Sequence, residues 1–192
     1  MIFVTVGTQL TFDRLIRSVD QWAGERHPQP DVVAQIGPTK VRPQHIQTHA
    51  FVPVKEFNEL AKRSEVIVSH AGIGSILTAM RLGKPIVIMP RRASLGEHRN
   101  EHQLATAARF RNRQGVFVAD DEFALPGILD RVADLRGSVP IESYASPSLI
   151  AAVREFIESG KVTRIPDSLA PESLVPAPKS AARQRLQKSH GA

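Results

Sequence analysis

Residues 65–90 read EVIVSHAGIGSILTAMRLGKPIVIMP, and this stretch decides the fold of the chain. The apolar run VIV at 66–68 predicts a buried strand, and the apolar run within PIVIMP at 85–90 predicts a second one. Between them, residues 75–83 have helical spacing, with Gly83 as the expected C-terminal cap. Two strands joined by a helix are typical of a βαβ unit, so the stretch predicts an α/β fold with a parallel sheet.

The alternation of strands and helices continues on both sides of this unit. Further strands are predicted at 2–6, 31–37, 45–52 and 115–119, and further helices at 12–22, 54–64, 97–112, 121–135 and 146–159. Uninterrupted apolar strands such as IFVTV favour burial on both faces. We therefore predict a parallel Rossmann-like sheet with helices on both faces over residues 1–160, followed by a flexible, basic, Pro-rich tail at 161–192.

Composition excludes several classes of protein. The chain has no cysteine, which excludes a disulfide framework, thiolate zinc sites and cysteine nucleophiles and fits a reducing cytoplasm. Of the net charge of +6, the tail at 161–192 carries +4, and one Trp and one Tyr offer few stacking platforms, so no nucleic-acid partner is expected. No apolar run approaches the roughly 20 residues that span a bilayer, so any membrane contact is expected through a surface or a partner.

Polar or glycine-containing loops follow four of the predicted strands. In open parallel sheets, ligands bind beyond the carboxyl ends of the strands, which meet at one edge. The candidate site residues are Gly7 and Thr8 after the first strand, Phe51 and Val52 after the third, His70, Gly72, Gly74 and Ser75 in the SHAGIGS turn, and Arg91, Arg92, His102 and Gln103 in PRRASLGEHRNEHQ (90–103). Together they predict one binding site.

The SHAGIGS turn is the most informative of these loops. Gly72 and Gly74 allow a ligand to approach the backbone closely, and Ser75 opens a helix whose first N–H groups suit a diphosphate. The turn is not a Walker A sequence, and it lacks the third glycine of a dinucleotide fingerprint. A tight turn that needs glycine for its geometry alone stays open as the alternative.

The PRRASLGEHRNEHQ stretch has three interpretations. His98 and His102 are four apart, as in some zinc sites, but the HExxH order is missing and no third ligand is evident. A solvated first helical turn with Glu97 favoured by the helix dipole is the second interpretation. We favour the third, in which His102 and Gln103 hydrogen-bond a polyhydroxylated ligand.

The arginine pair and a later acidic trio are the remaining charged features. The planar forks of Arg91 and Arg92 predict that at least one of them contacts a phosphate or a carboxylate. Residues 120–122 are expected to be a helix N-terminal cluster with no role in the site.

Residues 51–92, from FVPVKEFNELAKRS to PIVIMPRR, together with EHQLATA resemble the C-terminal, nucleotide-sugar-binding half of family 28 glycosyltransferases. The opening MIFVTVGTQLTFDRLI is similar to split, two-component versions in which this half is a separate small subunit. PRRASLGEHRNEHQ is most similar to the bacterial exopolysaccharide branch, which is associated with glucuronosyl transfer. The resemblance covers about residues 1–125 and implies a GT-B half-domain that binds a UDP-sugar without a cofactor or a metal.

The resemblance also implies a role for most of the candidate residues. Diphosphate contacts are implied for Gly7 and Thr8, uracil contacts for Phe51 and Val52, phosphate contacts for Gly72, Gly74 and Ser75, and contacts with sugar hydroxyls for His102 and Gln103. One position departs from the family pattern, because Thr78 stands where relatives often have a glutamate that is a candidate ribose ligand. The ribose contact is therefore left without an assigned residue.

The function implied is that of the catalytic, UDP-sugar-binding subunit of an inverting transferase in exopolysaccharide synthesis, with glucuronate as a candidate sugar. A membrane-anchored second subunit would bind the lipid-linked sugar acceptor and supply the catalytic base, since 192 residues are too few for both halves. The chain would then lie at the inner face of the cytoplasmic membrane, with its C-terminal tail as a candidate docking element. The alternatives are a non-catalytic UDP-sugar-binding or scaffold protein, and a sugar-nucleotide epimerase or hydrolase.

Overall fold

The computed structural model describes residues 1–142 and 144–160, and the predicted flexible tail at 161–192 lies outside the described residues. The described strands are β1 (Ile2–Thr5), β2 (Val32–Gln35), β3 (Gln47–His49), β4 (Val66–His70), β5 (Ile86–Met89) and β6 (Val116–Val118). The described α-helices are α1 (Asp13–Gly24), α2 (Val54–Arg63), α3 (Ile73–Leu82), α4 (His102–Phe110), α5 (Leu125–Leu129) and α6 (Pro147–Ser159).

The six strands form one sheet in the order β3-β2-β1-β4-β5-β6, and every pairing is parallel. This confirms the predicted parallel Rossmann-like fold. The chain runs from β1 outward to one edge, returns to β4 beside β1, and then runs outward to the other edge. The strand order therefore reverses between β1 and β4, and open α/β sheets bind ligands outside the carboxyl ends of the strands at such a point.

Both faces of the sheet are covered by apolar side chains. Val4 in β1 packs in a buried cluster that includes Leu15 and Ile16 of α1, while its neighbour Phe3 points to the other face and packs with Ile76 of α3. Full burial of such a side chain contributes roughly 1.5–3 kcal/mol. The alternation along β1 thus fixes the sheet between two layers of helices, and the loops at its carboxyl edge start from a rigid base.

Two predicted helices are shorter in the structure, one because of a long-range contact and the other because of a local turn. The segment predicted to start a helix at residue 97 is helical only from His102, because Gly96 has a φ of 70° and the Glu97 carboxylate is held by Arg14. In the segment predicted as a helix at 121–135, Asp121 accepts hydrogen bonds from two main-chain N–H groups, and α5 begins only at Leu125.

Contacts within the chain divide it after Glu142 into two units. The first unit holds the whole sheet and helices α1–α5, and the second is described through α6, whose N-cap Ser146 accepts a hydrogen bond from Leu149 N. The predicted domain boundary at residue 160 stays a prediction. Within residues 1–142 and 144–160, none of the helices combines the length and the apolar character needed to cross a bilayer.

Candidate functional site

A cleft of about 540 Å³ opens at the carboxyl ends of the strands and straddles the switch point between β1 and β4. Eleven of the twelve predicted site residues line it: Gly7, Thr8, Phe51, Val52, His70, Gly72, Gly74, Ser75, Arg91, His102 and Gln103. Arg92 is the exception. The parallel sheet therefore brings four separate loops of the sequence to one concave surface.

The N-terminus of α3 forms the floor of this cleft and has the features of an anion site. Its N-cap is Gly72, which offers no side-chain oxygen, and its first turn holds no acidic residue. The amide of Ile76 is the first to bond within the turn, to Gly72 O at 3.2 Å, as expected for a helix whose earlier N–H groups are unpaired. Ile73, Gly74 and Ser75 therefore present main-chain N–H groups at the positive end of the helix dipole.

Gly72 and Gly7 are required by the packing of His70. A Cβ atom on Gly72 would lie 2.1 Å from His70 Nε2, and one on Gly7 would lie 2.8 Å from His70 Cε1. The backbone of Gly72 has a φ of −93° and a ψ of 132°, which any residue adopts, so a tight turn does not explain this glycine. Gly74 differs, because a Cβ there would meet nothing within 4 Å.

The imidazole of His70 is neutral and its orientation is set by Ser69. Ser69 Oγ donates to Thr5 O at 3.1 Å and lies 3.2 Å from His70 Nδ1. Because the single hydroxyl hydrogen is already used, this network assigns the ring hydrogen to Nδ1 and leaves Nε2 with its lone pair. Burial and the positive charge of Arg91 lower the pKa of His70 to about 4. His70 can therefore accept a hydrogen bond, or take up a proton when an anion binds beside it.

Arg91 is buried, with 2% of its surface exposed, and holds the loop after β1. Its Nη2 donates to Val6 O and Leu10 O, both at 2.7 Å, and its Nη1 donates to the carbonyls of Thr11 and Glu97. Burial lowers the pKa of Arg91 to about 10, with Glu97 opposing the shift, so it stays charged at neutral pH. The fork that was predicted to contact an anion is occupied by main-chain carbonyls.

Arg92 points away from the cleft. Its Nη2 donates to Asp120 O at 3.0 Å, and its main-chain N donates to Glu97 Oε2 at 2.9 Å. The predicted anion contact of the arginine pair thus gains no support from either side chain. What the two residues share is a connection to Glu97, through a guanidinium in one case and a main-chain amide in the other.

Glu97 fixes the loop between β5 and α4. It accepts two hydrogen bonds from Arg14 of α1, from Nε and Nη2, both at 2.8 Å. The side chains of both residues are 11% exposed, and Arg14 also donates to Glu122 at 2.7 Å. The hydrogen bond with Glu97 is the largest contribution that raises the pKa of Arg14. Residues 120–122, which the sequence predicted as a helix N-terminal cluster, thus include one member of this ion-pair network, Glu122.

Gln103, His98 and His102 form the wall of the cleft that follows β5. Gln103 is buried, and its Oε1 accepts a hydrogen bond from Arg91 N at 3.1 Å, so the amide NH₂ is left to donate. The rings of His98 and His102 stack edge-on with centroids 4.4 Å apart, although the two residues do not share a helical face. Among residues 1–142 and 144–160, no three His, Asp or Glu side chains are grouped to hold a metal ion.

The predicted set of site residues did not include several that line the cleft: Thr5, Val6, Gln9, Leu10, Gln35, Val54, Phe57, Ile73 and His98. Gln35 is the clearest of them, since its Nε2 donates to Gly7 O at 3.2 Å from the end of β2. A buried amide ending the otherwise apolar strand VVAQ was the available signal. Thr78 also lines the cleft, but its hydroxyl donates to Gly74 O at 2.8 Å, so it can only accept from a ligand.

A family model for the "Glycosyltransferase family 28 C-terminal domain" matches residues 1–129, and this range includes all of the cleft residues. The chain belongs to this family. Among curated proteins, this chain is 30% identical over 133 residues to the human UDP-N-acetylglucosamine transferase subunit ALG13. The match covers 60% of this chain and 11% of the human protein. The chain is 26% identical over 138 residues to the ALG13 subunit of Yarrowia lipolytica, covering 63% and 65% of the two chains.

Solved structures with the same fold support the assignment of the half-domain. The NMR solution structure of ALG13 matches with a TM-score of 0.53 at 20% identity, over 82% of this chain and 96% of that one. MurG of Acinetobacter baumannii matches with a TM-score of 0.50 at 15% identity, over 69% of this chain and 40% of that one. The predicted Rossmann-like half-domain of a GT-B glycosyltransferase is thereby confirmed at the level of fold.

Proposed function

We propose that this chain is the UDP-sugar-binding, catalytic subunit of a two-component inverting glycosyltransferase. The observation that supports the proposal most is the uncapped N-terminus of α3, which faces the loop of Gly7 and Thr8 across the cleft at the switch point. Main-chain N–H groups at a helix N-terminus bind phosphate groups without a metal. Both curated relatives are named as UDP-N-acetylglucosamine transferase subunits.

The cleft has a separate surface for each part of a UDP-sugar. Phe51, 54% exposed at the cleft, is the face on which uracil would stack beside Val52. The diphosphate would lie on the first turn of α3, and the sugar would receive hydrogen bonds from Gln103 and His102. This order places the leaving group, and not the sugar, over the helix dipole.

The reaction that this arrangement supports is displacement at the anomeric carbon with inversion. An acceptor hydroxyl attacks from the face opposite UDP, the bond from the anomeric carbon to the phosphate oxygen breaks, and the hydroxyl proton passes to a base. Negative charge grows on the leaving diphosphate, where the α3 amides would stabilise it in place of a metal ion. We assign the base to the partner subunit.

N-acetylglucosamine is the donor sugar that we propose. The relatives' names favour N-acetylglucosamine. Glucuronate was predicted from the resemblance of PRRASLGEHRNEHQ to the exopolysaccharide branch, and an arginine fork would suit its carboxylate. The contacts of both guanidinium groups with main-chain carbonyls do not favour such a carboxylate contact. A role in exopolysaccharide synthesis remains a prediction from the sequence resemblance alone.

The proposed assembly includes a membrane-anchored second subunit and a lipid-linked sugar acceptor. The matched stretch spans about a tenth of the human relative and 65% of the yeast one, so the whole enzyme's activity is part of the proposal. The chain would then be peripheral at the inner face of the cytoplasmic membrane, held there by its partner.

Calorimetric titration of the full chain with UDP tests the binding half of this proposal. Phe51→Ala should weaken UDP binding about 5- to 150-fold, since stacking of a base on an aromatic ring contributes roughly 1–3 kcal/mol. Phe123→Ala is the matched control, because Phe123 is 84% exposed and lies outside this cleft. Equal affinities of the two variants would remove the cleft as the nucleotide site.

Transfer is tested in membranes in which the chain is co-expressed with its candidate acceptor-binding subunit. UDP-N-acetylglucosamine, UDP-glucuronate and UDP-glucose are supplied separately with a lipid-linked sugar acceptor. We expect the highest rate of transfer from UDP-N-acetylglucosamine. Tight UDP binding without transfer from any donor would favour the non-catalytic binding protein instead.

A further inference from the structure

Arg91 holds both ends of the loop that follows β1. Val6 O lies at the start of this loop, while Leu10 O and Thr11 O lie at its end, and all three accept from the same guanidinium. The two terminal nitrogens make four hydrogen bonds, which equals the number of hydrogens that they carry. The chain between the anchors includes Gly7 and Thr8, which line the cleft.

The same residue also fixes the wall of the cleft that follows β5. Its main-chain N–H donates to Gln103 Oε1, which orients the Gln103 amide and leaves the NH₂ group free to donate. One residue at the end of β5 therefore connects the loop after β1 with the first turn of α4. The ring of Phe12, whose centroid is 4.9 Å from the guanidinium carbon, covers one face of the group.

An arginine is needed for this set of contacts. Its rigid planar fork directs hydrogens to several carbonyls at once, whereas a lysine ammonium is a point charge with three hydrogens on a flexible stem. A lysine at position 91 would leave at least one of four carbonyls without its donor. Val6 O would be the most affected, because the Nη2–Val6 O bond is the buried one of the four.

We propose that Arg91 is a positioning residue that presets the Gly7–Thr8 loop and the Gln103 amide for a nucleoside-diphosphate sugar, and that its guanidinium stays on the main-chain carbonyls when the ligand binds. The proposal rests on the proposed function, since it assigns a role within the same cleft. It replaces direct anion contact by Arg91 with an indirect effect, in which the loop is ordered before the ligand arrives.

Direct contact of the two terminal nitrogens with the ligand would require the fork to leave its carbonyls. Four hydrogen bonds would break, and carbonyl oxygens of residues 6, 10, 11 and 97 would lose their donor in a part of the protein where Arg91 is 2% exposed. The bond to Val6 O is buried, and a buried acceptor without a donor is strongly unfavourable. Preordering instead lowers the entropy lost on binding, which is how positioning residues improve affinity without touching the ligand.

The first test uses the wild-type chain and arginine side-chain NMR. The Nη–H signals of Arg91 should be protected from exchange in the free protein and unchanged at saturating UDP. A large shift or loss of these signals on UDP binding would show that the fork moves to the ligand and would overturn the inference. If the wild-type protein binds no UDP, both the proposed function and the inference fail. If it binds UDP and the Arg91 signals shift, only the inference fails, so the two results can be distinguished.

The second test compares Arg91→Lys with Arg113→Lys, an exposed arginine outside the cleft lining. In Arg91→Lys the loop must be ordered when the ligand binds, so the affinity for UDP should fall about 10-fold. The loss should appear as a less favourable binding entropy, with increased amide exchange at residues 7–11. Arg113→Lys should bind UDP as the wild type does. Unchanged UDP affinity and amide exchange in folded Arg91→Lys would overturn the proposal. If that variant does not fold, the NMR test on the wild-type protein decides between the two possibilities.

Discussion

Substitution of Gly72 by alanine tests the packing of His70 against the phosphate-facing turn. The new Cβ would lie 2.1 Å from His70 Nε2 and 2.8 Å from its Cδ2, so the ring must move. The backbone angles at Gly72, −93° and 132°, suit alanine, so the effect is steric and does not come from backbone strain.

The expected cost follows from what His70 loses when its ring is displaced. The hydrogen bond with Ser69 Oγ, 3.2 Å long, contributes about 0.5–1.5 kcal/mol. A side chain forced off its rotamer adds about 0.5–1.5 kcal/mol. Gly72→Ala should therefore reduce the free energy of unfolding by about 1–3 kcal/mol, which moves the midpoint of a urea transition by roughly 1 M at a slope of about 2 kcal/mol per M.

Urea denaturation of four variants isolates the contact. Gly74→Ala is the control, because its Cβ would meet nothing within 4 Å and glycine-to-alanine changes in a helix are neutral or stabilising by up to about 1 kcal/mol. His70→Ala and the double variant complete a cycle, in which Gly72→Ala should cost little once the ring is gone. An equal cost of Gly72→Ala with and without the His70 ring would refute the reasoning.

Two further predictions concern the neutral ring of His70 and the ion pair of Arg14 with Glu97. The pKa of His70 is lowered to about 4, whereas that of an unfolded histidine is near 6.5, so between these pH values the unfolded state binds more protons. As the pH falls from about 6.5 toward 4, the free energy of unfolding of the wild type should therefore decrease by up to about 1.4 kcal/mol per pH unit relative to that of His70→Gln. Identical pH profiles of the two proteins in urea titrations would argue against a buried neutral ring. Arg14→Met leaves Glu97 without its bidentate partner at 11% exposure and should lose about 3–5 kcal/mol in thermal unfolding. The control Arg26→Met breaks a pair whose arginine is 33% exposed and should lose at most about 1 kcal/mol, so equal losses would contradict the burial argument.

The fold could be predicted because its signals are local. IFVT, VIVSH and IVIM are uninterrupted apolar or nearly apolar runs bounded by turn residues, and such short runs alternating with helical segments indicate buried parallel strands. The same logic placed the cleft, since the carboxyl ends of parallel strands share one edge. Eleven of twelve predicted residues meet there for this reason.

The rest could not be predicted because it depends on partners far away in the sequence. Arg91 was expected to face an anion, but the carbonyls that it binds in the loop after β1 lie 80 to 85 residues earlier in the chain. The start of α4 is likewise set by the contact of Glu97 with Arg14, 83 residues away, and not by local helix propensity. Main-chain acceptors leave no residue pattern for a sequence to show.

Amide NMR of the full chain titrated with UDP tests the central claim most directly. If the diphosphate lies on the helix N-terminus, the largest saturable shifts should be those of residues 73–75 and of Gly7 and Thr8, with smaller ones at Phe51 and Val52. A second cleft lined by Arg17 and Phe123 supplies the internal comparison and should not respond. Saturable shifts centred on that second cleft, with residues 73–75 unmoved, would contradict the account.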